Sequence, residues 1–214
     1  MKKNIEEIIS DCYSEEQSFE NGTPFNQIME FICTNYQARF KGRFDSYLNY
    51  YKEIPFDNAI HDASYGYYSL DGKSPSIWFH QETFIKHNGT GPLEKLAEKL
   101  KSLKSKIKTL KDFHSLFVFI REVATNIEGI GPLSVYDTAL RLGSHLKLNP
   151  DKIYIHSGTK TGYKALIDER CNVEFVERNS FRPVPYLNEF DSKYLEDILC
   201  IYKKTFKKMK TTPA

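Results

Sequence analysis

Hydrophobic residues recur every three or four positions along much of the chain, a spacing that is typical of amphipathic helices. Thr23-Pro24 predicts a helix start, and the apolar stripe that follows extends from Ile28 to Tyr51. A second stripe extends over residues 93–110, and a third follows Asp112, a residue type that favours the N-cap position. The pattern therefore predicts a mainly α fold built as a helical bundle.

Two parts of the chain lack this spacing. Residues Pro55 to Pro92 are interrupted by turn-forming strings such as Asp71-Gly72, so we expect a long irregular loop with short strands around Tyr67 and Trp78. Residues 172–178 alternate between polar and apolar, which predicts another short strand. The expected fold class is mainly α, with a long irregular loop and a few short strands.

The chain has 214 residues, of which 40% are hydrophobic, enough to bury one sizeable core. We expect a single helical domain over residues 1–214, with residues 1–92 and 93–214 as candidate lobes. No stretch reaches the ~20 apolar residues that cross a bilayer, and the N-terminus lacks the apolar run of a secretory signal. These features predict a cytoplasmic protein without a membrane partner, and leave its oligomeric state undetermined.

Charge is unevenly distributed, although the net charge is only +2. Residues 1–30 are acidic, whereas residues 93–111 contain seven lysines against two glutamates. Residues 201–214 add five lysines with no acidic side chain. Such asymmetry suits a phosphate-rich partner, although solvated helix faces are the simpler explanation of each lysine run.

A short glycine-containing segment, Ile127-Glu128-Gly129-Ile130-Gly131-Pro132-Leu133, separates the helix after Asp112 from the next predicted helix. Glycines permit positive φ and leave room for phosphate oxygens, while the N-terminus of the following helix presents free N–H groups. An ordinary left-handed helix cap at Gly129 is the alternative. The predicted main-chain donors are Gly129, Ile130, Gly131, Leu133 and Ser134, with the Ser134 hydroxyl as an additional group.

This helix, Gly-hydrophobic-Gly hairpin and helix, over roughly residues 112–146, resembles the helix-hairpin-helix motif of nucleic-acid-binding proteins. The resemblance implies sequence-independent binding of a DNA backbone, in DNA repair or maintenance, with RNA as an alternative partner. The string Asn88-Gly89-Thr90-Gly91-Pro92-Leu93 matches the hairpin at both glycines, the proline and the leucine. A tandem pair of hairpins is therefore a further hypothesis, although Thr90 stands in place of the apolar residue.

The chain is also distantly similar to the helix-hairpin-helix DNA glycosylases, but it lacks their catalytic lysine, whose place is taken by Leu133. Counting along the chain puts the family's catalytic aspartate at Asp151, where Asn149-Pro150 also suits an ordinary turn. The sequence thus favours a non-catalytic DNA-binding protein. The alternatives are a monofunctional glycosylase that uses Asp151, and a protein-interaction subunit that binds no nucleic acid.

Other candidate motifs are weaker. The string His156-Ser157-Gly158-Thr159-Lys160-Thr161-Gly162 lacks the spacing of a nucleotide-binding P-loop, but Lys160 and Lys164 are candidates for a second phosphate contact. The cysteines form no CxxC pair, so we expect buried free thiols, and the spacing of His61, His80 and His87 matches no metal site. No metal and no cofactor is predicted.

Overall fold

The computed structural model describes residue 19 and residues 23–69, 76–77 and 79–211, and these are mostly helical. The first elements are α1 (Phe25–Tyr36), a π-helical turn (Gln37–Lys41), α2 (Gly42–Glu53), α3 (Phe56–Tyr65), β1 (Tyr67–Tyr68) and β2 (Ser76–Ile77). Next come α4 (Phe79–Asn88), α5 (Gly91–Ser102), α6 (Lys104–Ile107), α7 (Phe113–Ala124) and α8 (Pro132–Leu146). The remainder consists of β3 (Ile153–Tyr154), α9 (Ser157–Leu166), β4 (Phe175–Val176), two 3₁₀ helices (Arg178–Phe181 and Pro185–Leu187), α10 (Ser192–Ile201) and α11 (Lys203–Thr211).

The chain divides into two compact units. The central unit comprises Arg43–Pro150, and the terminal unit combines the chain up to Gly42 with the chain from Asp151 onward. These bounds differ from the candidate lobes 1–92 and 93–214. Helical periodicity shows which face of a segment is buried, but it does not show which distant segments pack together, so the return of the chain to the terminal unit was not predictable.

The mainly α class is confirmed, but the prediction of a long irregular loop between Pro55 and Pro92 is wrong. This region contains the helices α3 and α4. Helix α3 buries Ala59, Ile60 and Ala63, and it ends where Gly66 takes a left-handed φ of 71°. Its small alanines and its polar, turn-forming residues conceal the helical period, because turn propensity is a local signal that tertiary packing overrides.

The short strands are confirmed. Strands β1 and β2 pair antiparallel with Tyr67 opposite Ile77, and β3 and β4 pair antiparallel with Ile153 opposite Val176. Each strand is only two residues long, so the two ladders join loops rather than form a layer of sheet. The helices therefore supply the core of each unit.

Helix α8 passes through Gly143 and ends at Leu146. Lys147 takes a left-handed φ of 60°, and the N–H of Leu148 donates to the Gly143 carbonyl at 2.8 Å. A Cβ on Gly143 would lie 2.7 Å from the Leu148 carbonyl oxygen and 3.1 Å from the Phe113 ring. Glycine at this position therefore allows close packing against α7 and does not end the helix.

In the terminal unit, two glycines of α9 lie against α10. A Cβ on Gly162 would lie 2.1 Å from the Leu199 carbonyl oxygen, and one on Gly158 would lie 2.6 Å from the Cys200 sulfur. Cys33, Cys171 and Cys200 are free and buried, as predicted, whereas Cys12 lies outside the described residues. Within the described ranges, no helix combines the length and apolar character needed to cross a bilayer.

Asp112 caps α7, as the sequence predicts, by accepting hydrogen bonds of 2.7 Å from the Ser115 N–H and hydroxyl. These bonds lower the pKa of the Asp112 carboxyl, and the bond from the backbone N–H has the larger effect.

We expect Asp112→Ala to reduce the free energy of unfolding by about 1 kcal/mol, and Asp112→Ser to retain most of the stability that the cap contributes. Because the folded-state pKa is lowered, this contribution is present at neutral pH and is lost as the pH falls through that value. Urea denaturation at neutral and acidic pH measures it, and an equal loss at both pH values would contradict the capping role.

Candidate nucleic-acid interface

The predicted hairpin is the connection between α7 and α8, two helices that pack against each other in the central unit. Gly129 has a left-handed φ of 92°, whereas Gly131 is extended, with φ −98° and ψ 175°, and forms the N-cap of α8. The Val135 N–H donates to the Gly131 carbonyl at 3.1 Å. The chain therefore turns sharply at the first glycine and enters a helix directly after the second.

Most of the predicted amide donors have no acceptor among the described residues. The Ile130 N–H donates to the Ile127 carbonyl at 3.3 Å and is already engaged. Within the described part of the chain, no hydrogen bond involves the N–H groups of Gly129, Gly131, Leu133 and Ser134. Gly129 is exposed and Ser134 is buried at 6% exposure, so accessibility falls along this series.

The two glycines are needed for different reasons. Gly129 requires glycine because of its positive φ, and a Cβ there would lie 3.4 Å from Pro92 Cγ. Gly131 has an ordinary φ, and a Cβ there would have no atom within 4 Å. The internal packing of the described chain therefore does not require glycine at position 131. Without a side chain there, the space above the start of α8 is open.

The two similar strings of the sequence lie next to each other in the structure. A Cβ on Gly129 would lie 3.7 Å from Pro92 Cβ and 3.9 Å from Asn88 Oδ1. The hairpin loop (residues 127–133) therefore lies against the similar string at residues 88–93, which we call the second loop. Gly89 also has a left-handed φ, 68°, and a Cβ on Gly91 would have no atom within 4 Å. The second loop differs at its helix start, where the N-cap Thr90 has αR dihedrals.

Ile130 links the two loops through apolar packing. It contacts a buried cluster formed by Tyr65 of α3 with Leu93 and Ala97 of α5. Leu93 is the residue that directly follows the second loop's proline. Ile130, which lies between the hairpin glycines, therefore packs on a cluster that includes two residues of α5, the helix that starts in the second loop.

Helix α5 carries lysines away from the second loop. Glu94 and Glu98 are exposed on α5 and offset part of its positive charge. Lys104, the first residue of α6, is paired with Asp57, and its Nζ lies 3.0 Å from each carboxylate oxygen. This hydrogen bonding lowers the pKa of Asp57. The exposed lysines of residues 93–111 are Lys95, Lys99, Lys101, Lys106, Lys108 and Lys111.

The helices around the loops are held by a fully buried arginine. The Arg141 guanidinium donates to the Tyr47 hydroxyl, to the Ala63 carbonyl at 2.9 Å and to the side-chain oxygen of Gln81. Its Nη2 also lies 3.3 Å from a carboxylate oxygen of Asp137, one turn earlier on α8. Arg141 therefore connects α2, α3, α4 and α8.

Charge in this buried network is balanced. Burial acts to lower the pKa of Arg141, but Tyr47 and Asp137 raise it above its usual value, so the guanidinium is charged. Burial raises the pKa of Tyr47 to about 12, so its hydroxyl is protonated at neutral pH. His80 Nδ1 lies 3.2 Å from the same Asp137 carboxylate, which gives α4 a second link to α8. Sequence reasoning missed this network, although Asp137 and Arg141 stand out as an i, i+4 charged pair in an apolar helix.

The remaining candidate residues lie in the terminal unit. Lys160 donates from Nζ to Asn172 Oδ1 at 2.9 Å, and Lys164 lies half-buried later on α9. Asp151 is exposed in a bend, where its carbonyl accepts a hydrogen bond of 2.8 Å from the Ser192 hydroxyl. No described residue holds its carboxylate in place, so the geometry adds no support for catalysis by Asp151.

Within the described ranges, no group of three or more histidine, cysteine or acidic side chains could hold a metal ion. His61 Nδ1 lies 2.8 Å from Asp62, and its ring stacks on that of Tyr65. His80 belongs to the Arg141 network, and His87 is exposed. The described histidines of this region therefore do not converge on one site.

Comparisons with protein-family profiles, with characterised proteins and with solved structures found no match for this chain.

We expect Arg141→Met to lower the free energy of unfolding by about 3–5 kcal/mol, because it removes the buried guanidinium from the Asp137 carboxylate, the Ala63 carbonyl and the Gln81 side-chain oxygen. Urea denaturation measures this loss. The exposed Arg121 on α7 is the matched control, and Arg121→Met should change stability by less than about 1 kcal/mol. Similar small losses for both variants would show that the buried network does not hold the central unit together.

Proposed function

We propose that this protein binds the phosphate backbone of DNA, without sequence preference, through main-chain amides at the start of α8. The observation that carries the proposal is the set of N–H groups at Gly129, Gly131 and Leu133 with no acceptor among the described residues. The proposal places the protein in DNA repair or maintenance as a non-catalytic component. RNA is the alternative polymer.

Uncommitted amides at a helix start suit an anion for two reasons. Their N–H bonds are free to donate, and the helix dipole places partial positive charge at the same end. Pro132 has no N–H to donate. It stands in the first turn of α8, where backbone N–H groups have no partner within the helix, so the helix loses no hydrogen bond. Phosphate oxygens, which accept hydrogen bonds strongly, match this arrangement.

Gly131 supports a close approach of the ligand to the backbone. Its dihedral angles and its open surroundings do not require glycine, so a partner that touches the main chain is the simplest reason for the missing side chain. A β-branched side chain there would project into the space above the amides. The same space at Gly91, in the adjacent loop, extends the surface that a backbone could follow.

A polymer fits better than a single small anion, because donors and charges continue beyond one loop. The two loops are in contact at Gly129 and Pro92, and α5 presents exposed lysines from Lys95 onward. Lysines bind phosphates as point charges and do not read bases, so this part of the contact carries no sequence information.

Gly131→Val tests the role of the backbone. We expect it to weaken duplex DNA binding by at least about tenfold, or 1.4 kcal/mol, since valine shields the amides. The fold should survive because a Cβ at this position has no atom within 4 Å and the φ of −98° is ordinary for any residue. Fluorescence anisotropy with a labelled random-sequence duplex measures binding, and thermal denaturation confirms folding.

Gly42→Val is the matched control for that variant, since a Cβ on Gly42 also has no atom within 4 Å. It should leave DNA affinity unchanged. If both folded valine variants bind as the parent does, the amides at the start of α8 are not the contact. If neither the parent nor the variants bind DNA or RNA at low salt, the connection between α7 and α8 is only a structural turn.

Salt dependence tests the electrostatic part. For roughly four to six contacted phosphates, the logarithm of duplex affinity should fall with the logarithm of salt concentration with a slope of about −4 to −5. Replacing Lys99 with glutamine should reduce the magnitude of that slope by about one if this lysine meets a phosphate. Titrations at several salt concentrations, on DNA and RNA duplexes in parallel, provide the measurement. An affinity independent of salt would exclude phosphate contacts as its source.

A further inference from the structure

The terminal unit contains a cavity of about 470 Å³, and all of its lining residues belong to this unit. It lies among residues of the first 3₁₀ helix, the second 3₁₀ helix and α10. Two arginines, two asparagines and two leucines line it, namely Arg178, Asn179, Arg182, Leu187, Asn188 and Leu195. Its volume lies within the range of small-molecule sites.

Arg178 is fixed at the wall of this cavity by its own hydrogen bonds. Its Nη2 donates to the carbonyls of Asn188 at 3.0 Å and Phe190 at 2.8 Å. The Asp191 carboxylate lies 3.9 Å from Nη1, and both side chains are substantially exposed, so this pair neutralises the guanidinium only weakly. Two backbone carbonyls therefore fix the orientation of this charged group.

Arg182 supplies a second guanidinium to the same cavity. Its side chain is exposed, and within the described chain it makes no hydrogen bond or ion pair. Arg178 and Arg182 both line this cavity, and two like charges at one cavity repel each other unless an anion lies between them. Arginine also matches phosphate and carboxylate oxygens through paired N–H donors, so the charge and geometry of this wall favour an oxyanion.

The other accessible walls suit a polar organic body attached to that anion. Asn179 and Asn188 are exposed at the cavity, and each side-chain amide offers both donors and an acceptor. Leu187 and Leu195 lie beneath them and are almost fully buried, at 0% and 1% exposure. An inorganic ion would use the arginines and leave the amides without a partner.

We propose that this cavity binds a small organic phosphate of nucleoside monophosphate size. A phosphate monoester carries a charge of about −1.5 to −2 at neutral pH, which matches two guanidinium groups better than the single charge of a carboxylate does. The polar groups of the ligand's organic part meet the asparagine amides. All of these residues belong to the terminal unit, whereas the proposed DNA contact uses residues of the central unit.

Isothermal titration of the full chain with adenosine 5′-monophosphate tests this site, with inorganic phosphate, adenosine and succinate as parallel probes. We expect saturable 1:1 binding of the monophosphate at least about tenfold tighter than that of any other probe. No saturable binding of the monophosphate below about 5 mM would overturn the proposal. Equal affinity for inorganic phosphate or for succinate would overturn it as well, because the organic body or the phosphate would then not be recognised.

Matched variants locate the binding. Arg182→Gln should weaken monophosphate binding by about tenfold, whereas Arg170→Gln removes the same charge from another exposed position of the unit and should not change it. Unchanged melting temperatures confirm that both variants fold. An equal loss for both would indicate non-specific attraction and overturn the assignment. DNA binding by Arg182→Gln should equal that of the parent, so this proposal and the DNA proposal can fail separately.

Discussion

A buried arginine organises the central unit. Burying a guanidinium is costly unless its hydrogen bonds are satisfied and an opposite charge is near, and Arg141 meets both conditions by contacting α2, α3, α4 and its own helix α8. Shifting any of these helices would leave a polar partner unpaired in the interior. The link from Arg141 to Gln81 and the link from Asp137 to His80 together fix α4 relative to α8.

That constraint determines where the two glycine loops lie. One loop follows the end of α4, and the other precedes the start of α8. Their contact at Gly129 and Pro92 and the packing of Ile130 on the cluster that includes Leu93 place two helix starts at neighbouring positions. The amides that the proposed function uses thus lie in the first turn of α8 and directly before it, next to helices that the Arg141 network connects.

Sequence reasoning succeeded where a short stretch of residues determines its own structure. The Asp112 cap, the left-handed turn at Gly129 and the helix start after Gly131 depend on groups within a few positions of each other. It failed where packing between distant segments decides. Gly143 is a glycine because the Phe113 ring and the Leu148 carbonyl lie against it, and the region between Pro55 and Pro92 contains the two helices α3 and α4.

The sequence by itself determined a mainly α fold, and it showed which amides can lack an acceptor, because hydrogen bonding at a helix start depends on adjacent residues. Only the tertiary structure decided that the two glycine strings, forty positions apart, touch each other, and that one buried arginine holds the helices around them. The cavity lined by Arg178 and Arg182 also depends on the tertiary structure, since Leu195 of the later helix α10 lines it too. Such features depend on contacts between residues far apart in the chain, and neither periodicity nor local propensity records those contacts.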